Sequence, residues 1–273
     1  MLLLALAGTT YQGVATALER RRWPHPGHLV DVGGHQLHLQ CEGQGTPTVV
    51  LEAPATAMSS VWAWVQQDVA KTTRVCSYDR AGLGWSEAGD TSFTPDEVPT
   101  QLNVLLQRAG EQGPFVIAGA ELGAAYALLY ASRFPAETAA LVLIDTPPQP
   151  GSGPGSHSAK FLSVSPWLAR VGVLRATRSL SSGATGLPPA AAAALTMFLN
   201  RPDHLTRAAA ELARWDDAVT MANTATQRQA MAVTQVLAGE PDGAALLANR
   251  RNAEDVVSAI ARAVKSVRSR TPG

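Results

Sequence analysis

The stretch VIAGAELGAAYALLYASRFPAETAALVLID (residues 116–145) decides the fold of this 273-residue chain. It starts with a short apolar run, continues through the tight segment Gly119–Gly123 into a helical run, and ends with a second apolar run. Continuous apolar runs of this length are typical of strands that are buried on both faces of a sheet. The order strand, helix, strand therefore predicts a parallel βαβ unit.

The surrounding segments continue the same alternation. Residues alternate between apolar and polar on both sides of Gly33 and Gly34, which predicts a β-hairpin with a two-residue turn. Strands are then predicted at 48–53, 73–79, 114–119 and 139–146, and helices at 60–70, 95–110 and 122–135. This order predicts a mostly parallel sheet with helices on both faces.

The composition divides the chain into four parts. The linker TPPQPGSGPGSHS (146–158) precedes a region with helical patches and no convincing strand. A last strand at 231–239 and an amphipathic helix at 252–270 follow that region. We predict an N-terminal apolar helix, a first core part, a helical lid and a C-terminal core part, at 1–25, 26–147, 148–228 and 229–273.

Three segments, in this order and at these spacings, resemble the α/β-hydrolase fold family. They are the hairpin and third strand at 21–53, the loop YDRAGLGWSE at 78–87, and the stretch at 116–145. The resemblance implies an α/β fold whose mostly parallel sheet carries an N-terminal β-hairpin and a helical lid insertion. The short distance between the last predicted strand and the closing helix indicates a shortened C-terminal end.

The chain departs from this family at the catalytic positions. The family pattern Gly-x-Ser-x-Gly places a serine nucleophile on a sharp strand-to-helix turn, and Glu121 stands at that position here. The family histidine would fall near Leu246, but all six histidines precede it. His157 and His204 lie in the linker and the insertion, where we expect them to face solvent. Ser-His-Asp acyl transfer is therefore not expected.

Further site residues follow from the same resemblance. Pro54 leads the turn after the third strand and has no N–H to donate, whereas Ala55 offers one for an oxyanion hole. We predict that both contact substrate, together with Leu122 beside the nucleophile position. The strand-to-helix turn at residues 119–123 is called the elbow below. Asp145 ends the strand that follows the elbow helix and is a candidate catalytic acid; the alternative is an Asp that only initiates the next turn.

Two tryptophans and one charged pair complete the candidates. Trp62 and Trp167 are predicted to line the substrate pocket, although aromatic residues at helical spacing also occur as core residues. Asp79 and Arg80 follow the fourth strand. We expect them to form an ion pair that braces the loop.

Glu121 allows three interpretations. As a general base or acid it would exchange a proton with substrate; the following helix stabilises its anion, whereas burial opposes the charge. As a nucleophile it would resemble the elbow aspartate of epoxide hydrolases and haloalkane dehalogenases, although it is one methylene longer. As a non-catalytic residue it would leave a pseudo-hydrolase that binds a small molecule or partner. We predict the first: proton-transfer-driven addition or cyclisation, with C–C bond formation, on an apolar polycyclic or polyketide-like natural-product intermediate.

The composition limits partners and cofactors. The chain has 22 Lys and Arg against 22 Asp and Glu, and this neutral balance predicts no nucleic-acid partner. Its sequence has no metal-ligand spacing, phosphate loop or dinucleotide fingerprint, so no cofactor or metal is predicted. Cys41 and Cys76 lie in apolar strand-like runs and are expected to be buried free thiols in a reducing compartment.

The N-terminus leaves two alternatives open. Residues 1–18 carry no charge and precede Glu19 and the arginines 20–22, but polar residues dilute a run that is barely long enough to span a bilayer. One alternative is weak membrane association, with the arginines holding the protein on the cytoplasmic face. The other is a helix that packs on its own domain or on the second subunit of a homodimer. We expect a cytoplasmic location.

Overall fold

The structure, a computed structural model, describes residues 2–89, 93–144, 149–151, 153, 156–226, 233–236 and 247–270. The candidate acid Asp145 lies outside these ranges, as do six of the thirteen residues of the predicted linker and the segments on either side of the last strand.

A seven-stranded sheet organises the described residues, in the order β1-β2-β4-β3-β5-β6-β7. Strands β1 and β4 pair with β2 in the antiparallel direction, and the remaining neighbours are parallel. The strands are β1 His28–Asp31, β2 Gln36–Glu42, β3 Val49–Glu52, β4 Val75–Tyr78, β5 Phe115–Ala120, β6 Thr138–Ile144 and β7 Val233–Val236. The prediction of a mostly parallel sheet is confirmed.

The hairpin turn lies on the two predicted glycines. Val32 donates its N–H to the carbonyl of His35 at 2.9 Å, which closes a two-residue loop between them. Gly33 and Gly34 have φ of 107° and 101°, values that side-chain-bearing residues rarely adopt. The turn therefore requires glycine at both positions.

Helices cover both faces of the sheet. They are α1 Leu2–Arg22, α2 Ala63–Val69, α3 Glu97–Arg108, α4 Leu122–Arg133, α5 Ser156–Arg170, α6 Val173–Thr177, α7 Pro189–Phe198, α8 Pro202–Ala213, α9 Trp215–Thr226 and α10 Arg250–Arg270. Short 3-10 helices occur at Ser59–Trp62, Pro135–Glu137 and Ser181–Ala184. Helices α3, α4 and α9 pack on one face, and α2, α7 and α10 on the other.

Side-chain alternation along the strands produces these two cores. In β3, Val50 faces the core that contains α4, whereas Val49 and Leu51 face the core that contains α2 and α10. Consecutive side chains of a strand point to opposite faces of the sheet. A strand covered on both sides must therefore be apolar throughout, which explains the continuous apolar runs in the sequence.

Helices α5–α9 form an insertion between β6 and β7 along the chain, and its role as a lid stays a prediction. Helix α1 packs against this insertion, because Gln12 donates to the carbonyl of Asn200 at 2.7 Å and Glu19 forms an ion pair with Arg175. Helix α1 therefore packs on its own chain, and the alternative of weak membrane association stays a prediction. No described helix combines the length and apolarity needed to cross a bilayer.

The C-terminal end is short. After β7 the described residues resume at 247 and lead directly into α10. In this part of the chain no strand follows β7, in agreement with the predicted shortened end. Val256 and Ile260 of α10 are fully buried against the sheet.

The expectation of free thiols is wrong. Cys41 of β2 and Cys76 of β4 are direct partners in the antiparallel register and form a disulfide, with their Cα atoms 4.0 Å apart. Glu111 lies beside both sulfurs, but oxidised sulfurs provide no thiolate for a metal ion. Disulfides persist mainly in oxidising compartments, so the pair counts against the expected reducing environment.

Removing this cross-link should lower the stability of the fold. The disulfide closes a loop across a sequence separation of 35, and the double variant Cys41→Ala/Cys76→Ala should lose about 2–4 kcal/mol of unfolding free energy. Urea titration of both proteins would measure the loss. Maleimide labelling of the unreduced, denatured protein supplies the control, because labelling of two thiols would contradict the disulfide.

Candidate functional site

The candidate site is built on the turn between β5 and α4. The strand ends at Ala120, the helix begins at Leu122, and Glu121 connects them with φ 53° and ψ −119°. A positive φ is strained for a residue with a side chain. This conformation puts Glu121 at the tip of the turn, which is the position of the nucleophile in the α/β-hydrolase pattern.

Two glycines make this turn possible. A Cβ atom on Gly123 would lie 2.5 Å from the carbonyl oxygens of Glu52 and Ala53, and a Cβ on Gly119 would overlap the backbone of Gly123. Neither position has room for a side chain. The spacing Gly-x-Glu-x-Gly is therefore explained by close backbone approach between β5, α4 and the end of β3.

The carboxylate of Glu121 is half-buried and bonded to the neighbouring turn. The N–H of Ala55 donates to Oε2 of Glu121 at 3.1 Å. A hydrogen bond to an ionised oxygen and the N-terminus of a helix both favour the anion. The predicted oxyanion donor, Ala55, is thus engaged by the elbow's own carboxylate.

Arg80 holds this turn in place. Its Nη1 donates to the carbonyl of Ala53 at 2.7 Å, and its Nη2 donates to the carbonyl of Pro54 at 3.0 Å. Pro54 itself is buried and contributes a carbonyl rather than an N–H to the turn. The position of the Ala55 N–H therefore depends on the hydrogen bonds of the Arg80 guanidinium to the two preceding carbonyls.

The same guanidinium is the centre of a buried ionic cluster. Arg80 contacts Glu211 of α8 through two parallel hydrogen bonds of 2.9 and 2.8 Å, and Glu52 at 2.7 Å. The three side chains are at most 2% exposed. Although burial opposes its charge, the pKa of Arg80 is raised well above its usual value by Glu211 and Glu52. Burial also raises the pKa of Glu52, whose carboxylate accepts a hydrogen bond from Tyr78.

Asp79 has a different partner from the one expected. It does not pair with Arg80: Oδ2 lies 3.1 Å from Nδ1 of His38, and its two oxygens accept the N–H groups of Ser59 and Trp85 at 2.6 and 3.0 Å. Burial acts against both charges, yet the pKa of Asp79 is lowered by His38 and these hydrogen bonds, and the pKa of His38 is raised by Asp79. The predicted bracing of the loop is correct, and the predicted partner is wrong.

His204 is buried rather than exposed to solvent, which corrects a second expectation. Its Nδ1 accepts the N–H of Gly84 at 3.0 Å, so its Nε2 donates to the carbonyl of Thr56, also at 3.0 Å. Burial lowers the pKa of His204 and favours the neutral ring. Both ring nitrogens are occupied by the backbone, so His204 acts as a structural residue. The side chain of His157 lies outside the described part.

The remaining predicted residues are dispersed. Leu122 is fully buried in the core under α4, and Trp62 is fully buried in the core under α2, which is the alternative that the sequence left open for it. Trp167 of α5 is 67% exposed. Only Pro54 and Ala55 lie in the described turn that contacts Glu121.

A cavity of about 540 Å³ adjoins this turn. It begins at Thr56, next to Ala55, and its walls are mainly apolar side chains of the helical insertion, including Phe161, Leu162, Leu180, Leu199 and Leu205. Small-molecule sites are concave, mostly apolar and a few hundred cubic ångströms in volume. The cavity fits an apolar ligand, and it meets the turn after β3 at Thr56.

Sequence reasoning missed the charged partners of Arg80 and Asp79. Glu52 and Glu211 hold Arg80, and His38 holds Asp79, but no motif marks any of the three. One signal was present: Glu52 interrupts the apolar residues of the run TVVLEA (48–53), and a carboxylate buried there needs a cation. Glu211 carries no such signal, because it lies in an ordinary amphipathic helix.

Comparison with known proteins supports the fold. A family model described as alpha/beta hydrolase fold matches residues 47–173. The Uncharacterized protein YbdG of Bacillus subtilis is 27% identical over 125 residues, which cover 44% of this chain and 37% of that protein. The Uncharacterized protein C23C11.06c of Schizosaccharomyces pombe is 27% identical over 195 residues, which cover 59% of this chain and 36% of that protein. The matched part of the chain thus spans little more than a third of either relative.

Two solved structures with the same architecture carry the names of enzymes. The Cif epoxide hydrolase from Acinetobacter nosocomialis superposes with a TM-score of 0.67 at 14% identity, over 83% of this chain and 80% of that protein. The N-formylmaleamic acid deformylase from Pseudomonas putida superposes with a TM-score of 0.64 at 22% identity, over 86% of this chain and 99% of that protein. At such identities the likeness shows the fold alone. The sheet order, the elbow and these comparisons agree: this chain is a protein with the α/β-hydrolase fold.

Proposed function

We propose that this protein is a non-hydrolytic enzyme in which Glu121 exchanges a proton with an apolar, polycyclic or polyketide-like small molecule. The reaction is an addition or cyclisation that forms a C–C bond. The base removes a proton from a C–H or O–H group of the substrate, and the resulting nucleophile attacks an electrophilic carbon of the same molecule. The proton then returns to the product from the Glu121 carboxyl group.

The hydrogen bond between the Ala55 N–H and the Glu121 carboxylate carries this proposal. In an acyl-transfer enzyme an N–H at this position would face the oxyanion of the substrate. Here it faces the elbow carboxylate and orients one of its oxygens at 3.1 Å. A carboxylate oriented in this way is the kind of group that serves as a general base when it is ionised.

Two buried histidines support a non-hydrolytic reaction. Histidines 38 and 204 are buried, and each is bonded to groups of the fold rather than directed at Glu121. Hydrolysis of a covalent ester on the elbow residue requires a base to activate water. Within the part of the chain that the structure describes, neither of these rings can serve Glu121 in that role.

Deuterium exchange into substrate tests the proton transfer directly. The protein would be incubated in D₂O with a panel of phenolic and β-dicarbonyl polyketide analogues, and exchange and isomeric products followed by mass spectrometry. We expect Glu121→Gln to slow exchange at least about a hundredfold while ligand binding is retained, because general acid–base groups contribute about 10²–10⁴-fold. The exposed Glu254→Gln is the matched control. Full exchange in Glu121→Gln would sink the proposal.

A second candidate is a hydrolase with a carboxylate nucleophile. The structural similarity to the Cif epoxide hydrolase, together with a carboxylate at the elbow, favours it. This function predicts an ester adduct on Glu121 after incubation with styrene oxide, visible by intact mass and absent from Glu121→Gln. Binding of ligand with neither exchange nor adduct would instead indicate a non-catalytic binding protein.

A further inference from the structure

The exposed large apolar side chains of the described residues are concentrated on three helices. All of them belong to α1, α5 or α6, and none to the sheet, the other helices or the loops. They are Leu6, Tyr11, Val14 and Leu18 of α1, Phe161, Val164 and Trp167 of α5, and Val173 of α6. Scattered single residues need no explanation, whereas such a concentration marks an interaction surface.

These three helices lie against one another. Gly8 of α1 approaches the carbonyl of Val171, between α5 and α6, so closely that a Cβ atom would overlap it. The ring of Tyr11 reaches Gly172, where a Cβ atom would be 3.1 Å from it. The outward faces of α1, α5 and α6 therefore adjoin, and we refer to them together as the α1/α5/α6 surface.

The charge of this region is one-sided. No Asp or Glu occurs from residue 146 to residue 202, although this span contains Lys160 and the arginines 170, 175, 178 and 201. Helix α1 ends with the arginines 20–22, and its sole acidic residue, Glu19, is bonded to Arg175. Arg201 is buried and Arg175 is paired with Glu19, so the exposed cations on or next to these helices are Lys160, Arg170, Arg178 and the arginines 20–22.

We infer that the α1/α5/α6 surface binds the face of an anionic lipid bilayer, with the three helices lying in the headgroup region. Helices that bind in this way combine an apolar face with Lys and Arg at its borders. Trp167 has the greatest exposed fraction of the eight side chains, and the guanidinium of Arg170 lies 4.8 Å from its ring. A tryptophan with a neighbouring arginine suits the interface, where the ring meets acyl chains and the cation meets headgroups.

The charge argument favours lipid over a second copy of the chain. Two copies joined through this surface would bring their arginines 20–22, 170 and 178 towards each other, and like charges oppose such contact. Anionic headgroups neutralise the same cations. No described helix has the apolar length to cross the bilayer, so the inferred contact is with its face. The inference does not depend on the chemistry proposed for Glu121.

Vesicle co-sedimentation of the full chain tests the inference. We expect sedimentation with vesicles of phosphatidylcholine and phosphatidylserine, at least about tenfold weaker binding to pure phosphatidylcholine, and loss of binding as salt screens the charges. Trp167→Glu and Val14→Glu, on two different helices, should each weaken binding at least about tenfold. Both replace exposed side chains, so neither should disturb folding. The exposed Arg108→Gln of α3 is the matched control and should bind as the wild type.

The opposing results are distinct. Equal binding by the wild type and the two glutamate variants, or no sedimentation with the mixed vesicles, would overturn the inference. Light scattering could instead show a dimer that Trp167→Glu dissociates. Together with an absence of vesicle binding, that result would overturn the inference in favour of a second copy of the chain. Unchanged vesicle binding by Glu121→Gln is expected, which separates this result from the test of the proposed reaction.

Discussion

Replacing Arg80 with methionine should destabilise the protein by about 3–5 kcal/mol, because it leaves two buried carboxylates without their cation. Glu52 and Glu211 are at most 1% exposed, so water cannot take over the role of the guanidinium. The carbonyls of Ala53 and Pro54 would lose their donors as well. Urea or guanidinium denaturation of the purified variant measures the loss.

Two further variants make the Arg80 result specific. Arg80→Lys keeps the charge but not the two parallel hydrogen bonds to Glu211, so it should fall between the wild type and Arg80→Met. Arg108→Met removes a half-exposed arginine that lies 3.6 Å from an exposed carboxylate of Asp31, and it should cost no more than about 1 kcal/mol. Equal losses in Arg80→Met and Arg108→Met would show that the buried cluster does not stabilise the fold.

The second large effect is expected at Asp79. Asp79→Asn should also lose about 3–5 kcal/mol near pH 5–6, since it removes one partner of a fully buried ion pair. The new amide would also place an N–H₂ group where an oxygen now accepts the N–H of Trp85 or the proton of His38. Chemical denaturation at several pH values measures the loss.

The pH dependence distinguishes this pair from a packing defect. The pKa of His38 is raised, so its contribution is fully present below the unfolded value of 6.5 and is lost as pH rises through the folded pKa. The pKa of Asp79 is lowered, so its contribution is present above the unfolded value of 3.8 and is lost as pH falls through the folded pKa. The wild-type pair is therefore strongest between these two unfolded values.

In Asp79→Asn the fall in stability on the alkaline side should disappear. Without the anion, burial disfavours the His38 cation, so the variant should recover part of its stability as pH rises towards the unfolded value of 6.5 and then stay level. His38→Gln, which has no ring to titrate at position 38, is the control. A loss in Asp79→Asn that stays constant from about pH 5 to pH 8.5 would refute the ion pair.

The fold could be predicted because its main signals are local. The apolar runs of β3, β5 and β6, the glycine pair of the hairpin and the elbow glycines each follow from backbone sterics or two-sided burial. The disulfide could not be predicted in this way, since it depends on the register of β2 against β4. That register places Cys41 opposite Cys76 across a separation of 35 residues.

The site could be predicted only in part, for a similar reason. The position of Glu121 and the N–H of Ala55 follow from a turn with a recognisable sequence. The partners of Arg80 and Asp79 follow from tertiary packing, which brings Glu211 within 2.9 Å of a residue 131 positions away. Their adjacency in the sequence predicted an ion pair between Asp79 and Arg80. In the structure Asp79 pairs with His38, and Arg80 pairs with Glu52 and Glu211.

The elbow also has a use in protein engineering. Its backbone conformation is set by Gly119 and Gly123, so the side chain at position 121 can change while the turn is kept. Both cysteines of the chain are joined to each other, so Glu121→Cys would introduce a single reactive thiol. A fluorophore or electrophilic fragment attached there would report on ligand entry from the tip of the turn.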